Sequence, residues 1–369
     1  MVQDDIEKYR MYLSLNVAQE YEIFYTLCES SIWCGEVAVD LRGYFKPGEI
    51  KKWEEIYGRD SERRKFRELV NGKSVVVSII GYRRVGKSVF AYAYGEVESL
   101  NPIPLKVHSG WNADKIFDKL NEKIESIYGS KTEGWSVGGG VSIGISGSAS
   151  KSTSTTKAPD IDAICKEKCY IILDEVQRLK SEDLREVVKD FYKRFESTAT
   201  IVLTGSSIYK IRNLGIARKI DWFTLYPFDE MKAREFIEKG FEQNGMLLDA
   251  DDISTIYNGV GGTPGLIIDV AKLVILGNYE IEDAVEHVYE DFVSGDDESI
   301  IQDLDEIINQ HPTVDKKRFV ELLLDGRTNE FDRNERELLE DLEIFGVVKG
   351  GIVDDPCLRR VLSKWGGVE

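Results

Sequence analysis

Gly81-Tyr82-Arg83-Arg84-Val85-Gly86-Lys87-Ser88 is the stretch whose reading decides the fold. It fits G-x-x-x-x-G-K-[ST], the spacing of a phosphate-binding loop. Ahead of it runs Ser74-Val75-Val76-Val77-Ser78-Ile79-Ile80, apolar and β-branched, which predicts a strand buried on both faces. Behind it, Val89-Phe90-Ala91-Tyr92-Ala93-Tyr94 continues as a helix. Strand, glycine loop and helix in that order turn the pattern into a mechanism. The two glycines let backbone N–H groups curl around phosphate oxygens, and the helix points its positive end at them. Lys87 then reaches the β- and γ-phosphates and the Ser88 hydroxyl ligates Mg2+, so the nucleotide-binding stretch runs from Gly81 to Val89.

A second stretch completes the chemistry. Tyr170-Ile171-Ile172-Leu173-Asp174-Glu175 is an apolar strand that ends in two carboxylates, the Walker B arrangement. With its end beside the loop, Asp174 holds the Mg2+ shell and Glu175 orients or deprotonates the attacking water. A nucleotide sensor that never hydrolyses has no need of that second acid. Thr200-Ile201-Val202-Leu203-Thr204-Gly205-Ser206-Ser207 is another apolar strand, ending in small hydroxyl residues. Arg218 precedes the expected last core strand. An arginine there either stabilises charge on the transferring phosphoryl group, in its own site or a neighbour's, or lies on the surface.

Composition bounds the class. The chain has 369 residues, 42% hydrophobic and 31% charged, enough for two or three domains. No apolar run approaches the roughly 20 residues of a membrane span. The start, Met1-Val2-Gln3-Asp4-Asp5-Ile6-Glu7, is acidic without an apolar signal core, so a cytoplasmic protein is expected. Cys28 and Cys34 lie too far apart for a zinc knuckle, and Cys165-x-x-x-Cys169 lacks a partner pair, so buried reduced thiols are expected. The formal charge of −18 opposes non-specific nucleic-acid binding, which relies on Lys and Arg to neutralise phosphates. Few His, Gln and Cys beside many Glu, Lys and Arg is also compatible with a thermophile.

Around these motifs the organisation is coarser. Residues 9–30 are compatible with a helix bearing aromatic residues that pack on the body. Residues 116–128 read as an amphipathic helix after a strand at 102–108 that ends in His108, a structural histidine. Residues 134–157 alternate apolar and small polar residues and then run into a Ser/Thr/Lys stretch, which reads as an inserted hairpin with a mobile tip. A helix capped at Asp229 and further helices follow. From residue 300 come helices at 300–310, 315–325 and 334–344, then a short hairpin at 347–353, an order that fits a winged helix. From His311 to Glu369 there are 10 Lys/Arg and 13 Asp/Glu, and a DNA-reading module is normally basic. A protein-contacting winged helix is therefore favoured over a DNA-binding one.

Together these residues resemble the archaeal ATPases of the STAND/AAA+ P-loop class. The resemblance rests on the loop with its Arg83-Arg84 pair, Leu173-Asp174-Glu175-Val176-Gln177 and Leu203-Thr204-Gly205-Ser206-Ser207. It also rests on Tyr57-Gly58-Arg59, which looks like the aromatic-Gly-Arg box that precedes the loop in that class. Gly261-Gly262-Thr263-Pro264-Gly265 looks like the Gly-x-Pro motif of a helical lid, and Asp355-Pro356-Cys357-Leu358-Arg359 like the end of the family's winged helix. The resemblance implies an α/β fold: a P-loop NTPase core of five parallel strands, a helical lid and a C-terminal winged helix. It places Tyr57, Arg59 and the lid proline Pro264 near the nucleotide, and a sensor 1 residue at Ser206 or Ser207. The implied activity is Mg2+-dependent hydrolysis of ATP to ADP; ATP over GTP rests on the resemblance alone.

The expected domains are an N-terminal extension (1–50), the ATPase core (51–227) with the hairpin inserted at 134–157, the lid (228–295) and the winged helix (296–369). Protein partners or self-association through the winged helix or the hairpin are expected. A nucleotide-regulated DNA-binding initiator is the alternative.

Overall fold

Val76–Ile80 (β1) is buried along its whole length, and a strand with no solvent face belongs inside a sheet covered on both sides. The computed structural model describes residues 41–46, 52–71, 76–128, 169–195, 199–205, 220–294 and 299–368. Ile103–Lys106 (β2), Cys169–Asp174 (β3), Ala199–Thr204 (β4) and Ile220–Thr224 (β5) join β1 in the order β2-β3-β4-β1-β5. Every neighbouring pair is parallel, as expected. The helix expected over 9–30, the hairpin at 134–157, Ser206, Ser207 and Arg218 lie outside the described residues.

The period of two in the strands supplies both faces of the sheet. Val77, Ile79, Ile172 and Val202 meet Phe66 of Asp60–Asn71 (α1) and Phe90 and Tyr94 of Lys87–Val97 (α2). Val76, Ile171, Leu173 and Ile201 face the other way, toward Ala113–Tyr128 (α3) and Ser181–Phe195 (α4). A single sheet thus sits between two apolar layers, and its strands open their carboxyl ends toward one edge, where ligands of such sheets bind.

After β5 the described chain is helical: Glu230–Gln243 (α5), Ala250–Val260 (α6), Pro264–Ile275 (α7) and Ile281–Ser294 (α8). Ile300–Ile308 (α9), Lys316–Leu324 (α10), Arg333–Phe345 (α11) and Pro356–Gly366 (α12) complete it. Asp229, Asp249, Ser299, Asp315, Asp332 and Asp355 each accept a hydrogen bond from an amide in the first turn of the helix they precede, which satisfies donors that a helix start leaves orphaned. The hairpin expected at 347–353 is one antiparallel bridge between Lys349 and Ile352, turned by Gly350 and Gly351, both at positive φ. Residues 41–46 dock on α5: the Arg42 amide donates to Asn244 Oδ1 (2.7 Å) and Phe45 lies against Gly240.

Cys169 is disulfide-bonded, which corrects the expectation of reduced thiols, since a search for zinc spacing does not test for a simple pair. Cys357 is free and buried. Among the described residues no helix is long and apolar enough to cross a membrane.

A continuous apolar core runs from Ile80 and Tyr82 through α5–α8 to α9–α12, and one buried carboxylate fastens its two halves. Asp355 accepts from the Leu358 amide at the start of α12 (3.0 Å) and from the Gly262 amide at the turn before α7 (2.7 Å). A side chain at Gly262 would overlap the Phe228 carbonyl, and one at Gly261 would overlap the Asp355 carboxylate. Burial pushes the Asp355 carboxyl up to about 6, against the lowering effect of the amides that donate to it. Asp355→Ala leaves two buried amides without that acceptor, at about 1–3 kcal/mol each. The expected result is a large drop in the denaturant midpoint. Because the folded carboxyl titrates above its ordinary value of 3.8, its contribution is full below that value and declines as pH rises through about 6. The deficit of the variant, measured by urea unfolding, is therefore widest at acid pH and narrows toward neutrality. A deficit that widens toward neutral pH contradicts this assignment.

Candidate nucleotide site

The turn between β1 and α2 has a backbone that few side chains allow. Gly81, Arg84 and Gly86 have φ of 143°, 65° and 96°, and a Cβ on Gly81 would overlap the Leu225 carbonyl. At Gly86 a Cβ would meet no protein atom within 4 Å; here glycine is required by the backbone angle. The loop thus leaves open space at Gly86, directly before the start of α2, where first-turn amides have no partner within the helix.

Lys87 Nζ folds back across that loop and donates to the Gly81 and Tyr82 carbonyls (2.8 and 2.9 Å). Burial lowers its pKa to about 8, and the nearby carboxylates of Asp303, Asp174 and Glu175, in that order, pull it back up. Ser88 Oγ donates to Asp174 Oδ1 at 2.7 Å. The same oxygen accepts from the Glu175 amide (3.0 Å) and from the Thr204 hydroxyl. The sheet order explains the third contact. The end of β3 sits beside the loop, as expected, although β4 stands between β3 and β1; the last residue of β4, Thr204, bridges the gap.

Glu175 has a left-handed backbone, φ 61°, and its carboxylate accepts from Gln177 Nε2 and pairs with Arg178 Nε at 3.5 Å. Two side chains just downstream of it thus fix its direction. At Gly205 a Cβ would press on the Gln177 side chain, so the end of β4 also backs this arrangement.

The structure brings Gly81, Gly86, Lys87, Ser88, Asp174 and Glu175 to one place, and distributes the other expected residues around it. Tyr82 and Val85 are buried; Tyr82 turns inward, its hydroxyl 2.5 Å from Thr263 Oγ1 and its ring against Phe292 and Phe345. Arg59 lies behind the loop, 4% exposed, donating to the Val85 carbonyl (3.2 Å), the Tyr226 carbonyl (2.9 Å) and Glu62. Its guanidinium also stacks over Phe228. Tyr57 packs on Phe228 and Phe236. Pro264 opens α7, where the Gly265 amide donates to the Arg84 carbonyl at 2.9 Å. Arg84 pairs with Asp269 on α7 at 3.4 Å, and Arg83 with Asp303 on α9 at 3.3 Å. Val89 sits in the first turn of α2. Three residues at this site were not foreseen as site residues: Thr204, Gln177 and Asp303. The first two stand inside motifs already quoted and a strand-end hydroxyl was a usable signal; Asp303 carries no local sequence mark.

Residues 57–270 match the model of an ATPase domain found predominantly in Archaea. No curated protein matches the chain. Among solved structures, a Walker-type ATPase from Pyrococcus abyssi is similar at 19% identity and TM-score 0.59, covering 86% of this chain and 99% of that one; at that identity the likeness is one of fold. The Thermotoga maritima RuvB Holliday junction branch migration motor is 15% identical with a TM-score of 0.40 over 86% of this chain and 91% of its own. The Aeropyrum pernix Orc1 protein, solved in complex with DNA, is 12% identical with a TM-score of 0.41 over 89% of this chain and 98% of its own. With the family model spanning more than half of the sequence and the parallel sheet beneath it, this chain belongs to that family of ATPase domains found predominantly in Archaea.

Proposed function

We propose that this ATPase is Mg2+-dependent and of the STAND type, and that it works as a switch driven by bound nucleotide. The observation that carries the reading is the 2.7 Å hydrogen bond from Ser88 to Asp174, which joins the phosphate loop to the acid-bearing strand. A hydroxyl and a carboxylate together are a hard oxygen donor set. Mg2+ takes such a set through one or two protein groups and leaves the rest of its shell to water and phosphate, so the residues fit that ion. Bound there, it neutralises charge on the phosphate oxygens.

Within this reading the loop amides and Lys87 receive the phosphates, and the first turn of α2, through Val89, adds its positive end. Glu175 takes the proton of the attacking water, held in direction by Gln177 and Arg178. Thr204 keeps Asp174 facing Ser88. Ser206 and Arg218, outside the described residues, are proposed from the sequence to face the terminal phosphate. Arg59 and Tyr57 support the loop from behind. Tyr82 and Arg84 hand its position to the lid through Thr263 and Gly265, a route by which nucleotide shifts the population between two arrangements.

Residues 51–227 then form the core, 228–295 the lid and 296–369 a winged helix, with 1–50 as an extension. The acidic balance of the last unit favours a protein partner or a second copy of the chain over DNA.

Phosphate release by the purified chain tests the enzymatic claim. Lys87→Ala is expected to lower turnover by about a hundredfold or more, and Glu175→Gln to abolish it while ATP still binds. Chelation of Mg2+ is expected to have the same effect as the lysine variant; equal release under all conditions would remove the mechanism. Thr204→Val keeps the shape of the side chain and deletes one donor to Asp174. Its expected signature is kcat lower by about tenfold to a hundredfold with the nucleotide KM little changed. An unchanged kcat shows that the hydroxyl does not set the direction of Asp174.

A further inference from the structure

Asp303 belongs to none of the motifs that define the site, yet it stands at the phosphate loop. It lies in the first turn of α9, in the C-terminal unit, and its carboxylate is 12% exposed. Ile300, Leu304 and Ile307 of that helix are buried, and Ser299 caps it with Gln302, so the carboxylate is not free to swing away. The rest of the C-terminal unit holds the same face: Phe345 packs on Tyr82, and a Cβ on Gly346 would lie 3.4 Å from the Gly81 Cα.

Asp303 Oδ2 pairs with Arg83 Nε at 3.3 Å, and its charge acts on the Lys87 ammonium more strongly than Asp174 or Glu175 does. Arg83 and Lys87 are two of the three cations of the loop; the third, Arg84, pairs with Asp269 on α7. A third phosphate group brings further negative charge to the same cations and meets a carboxylate already paired with one of them.

We propose that Asp303 sets the preference of the site between nucleoside diphosphate and nucleoside triphosphate. With α9 docked on the loop, its carboxylate competes with the terminal phosphate for Arg83 and Lys87. A diphosphate leaves that pair in place; a triphosphate must displace it, and with it α9. The inference rests on the nucleotide reading of the loop and adds to it a group that selects the number of phosphates.

The test is equilibrium binding of ADP and of a non-hydrolysable ATP analogue, both with Mg2+, to the full chain and to Asp303→Asn. The expected result is tighter binding of the triphosphate by about tenfold, the scale of one like-charge contact at a protein surface, with ADP affinity changed less than about threefold. Asp303→Glu keeps the charge and is expected to keep the native ratio. Asp303→Ser, neutral and smaller, gives the same readout as Asp303→Asn where the amide does not fold. A ratio of the two affinities that the neutral variants leave unchanged, including equal tightening or weakening of both, overturns the inference. Binding of neither nucleotide by the native chain overturns the nucleotide reading beneath it, and the inference falls with that reading.

Discussion

One carboxylate oxygen ties the site together. Asp174 Oδ1 accepts from Ser88 on α2, from Thr204 at the end of β4 and from the backbone of Glu175. Three segments that are distant in sequence are thereby set at one point, and each contact is charge-assisted, stronger than its neutral equivalent. The geometry depends on the parallel sheet, because only parallel strands end at the same edge. It depends equally on β4 lying between β3 and β1, since that order puts a hydroxyl where the acid needs a donor. Moving any one of the three strands by one residue would turn its last side chain to the opposite face of the sheet.

The loop itself is gripped from two sides. Behind it, Arg59 draws the Val85 and Tyr226 carbonyls toward one buried guanidinium, and a planar fork with several donors suits that task where a lysine would not. In front, the Tyr82 hydroxyl and the Arg84 carbonyl reach the turn that begins α7. That turn is in turn held by Asp355, whose second oxygen caps α12. The loop, the start of α7 and the start of α12 are thus joined through the Tyr82 side chain, backbone groups and the Asp355 carboxylate. Such a linkage transmits small displacements, because packed interiors shift between discrete arrangements more readily than they stretch.

What was legible in the sequence was local. A glycine pattern with a lysine, a strand ending in two acids and a helix-opening proline each declare themselves within a few residues, since backbone angle, strand burial and capping are short-range constraints. The direction of a side chain is not local. Tyr82 reads as part of a nucleotide loop but turns into the core, because Phe292 and Phe345 await it from helices more than two hundred residues on. Arg59 reads as a site residue, and its buried guanidinium donates to the Val85 and Tyr226 carbonyls. The pattern at the end of β4 points to its serines, whereas Thr204, the last residue still within the strand, carries the hydrogen bond to Asp174. Asp303 was beyond reach: it meets Arg83 across 220 residues of sequence, and nothing in its own neighbourhood separates it from other first-turn acids, which are ordinary at helix starts.

The net charge gains a second meaning from that contact. A formal charge of −18 argues against a polyanionic partner when it is read as a surface property. Within the fold, one of those acids, Asp303, is carried by α9 to the loop between β1 and α2. There, with Asp174 and Glu175, it keeps the Lys87 ammonium charged against the cost of burial. With a pKa of about 8, that lysine holds its proton at neutral pH and its ammonium donates to the Gly81 and Tyr82 carbonyls of the loop. Three acids from two distant parts of the chain thus converge on one amine. Two are placed by the end of β3 and the residue after it; the third is placed by α9, outside the sheet. Only the third lies on a helix apart from the sheet, so a movement of α9 would remove it from Lys87 while leaving the strand ends in place.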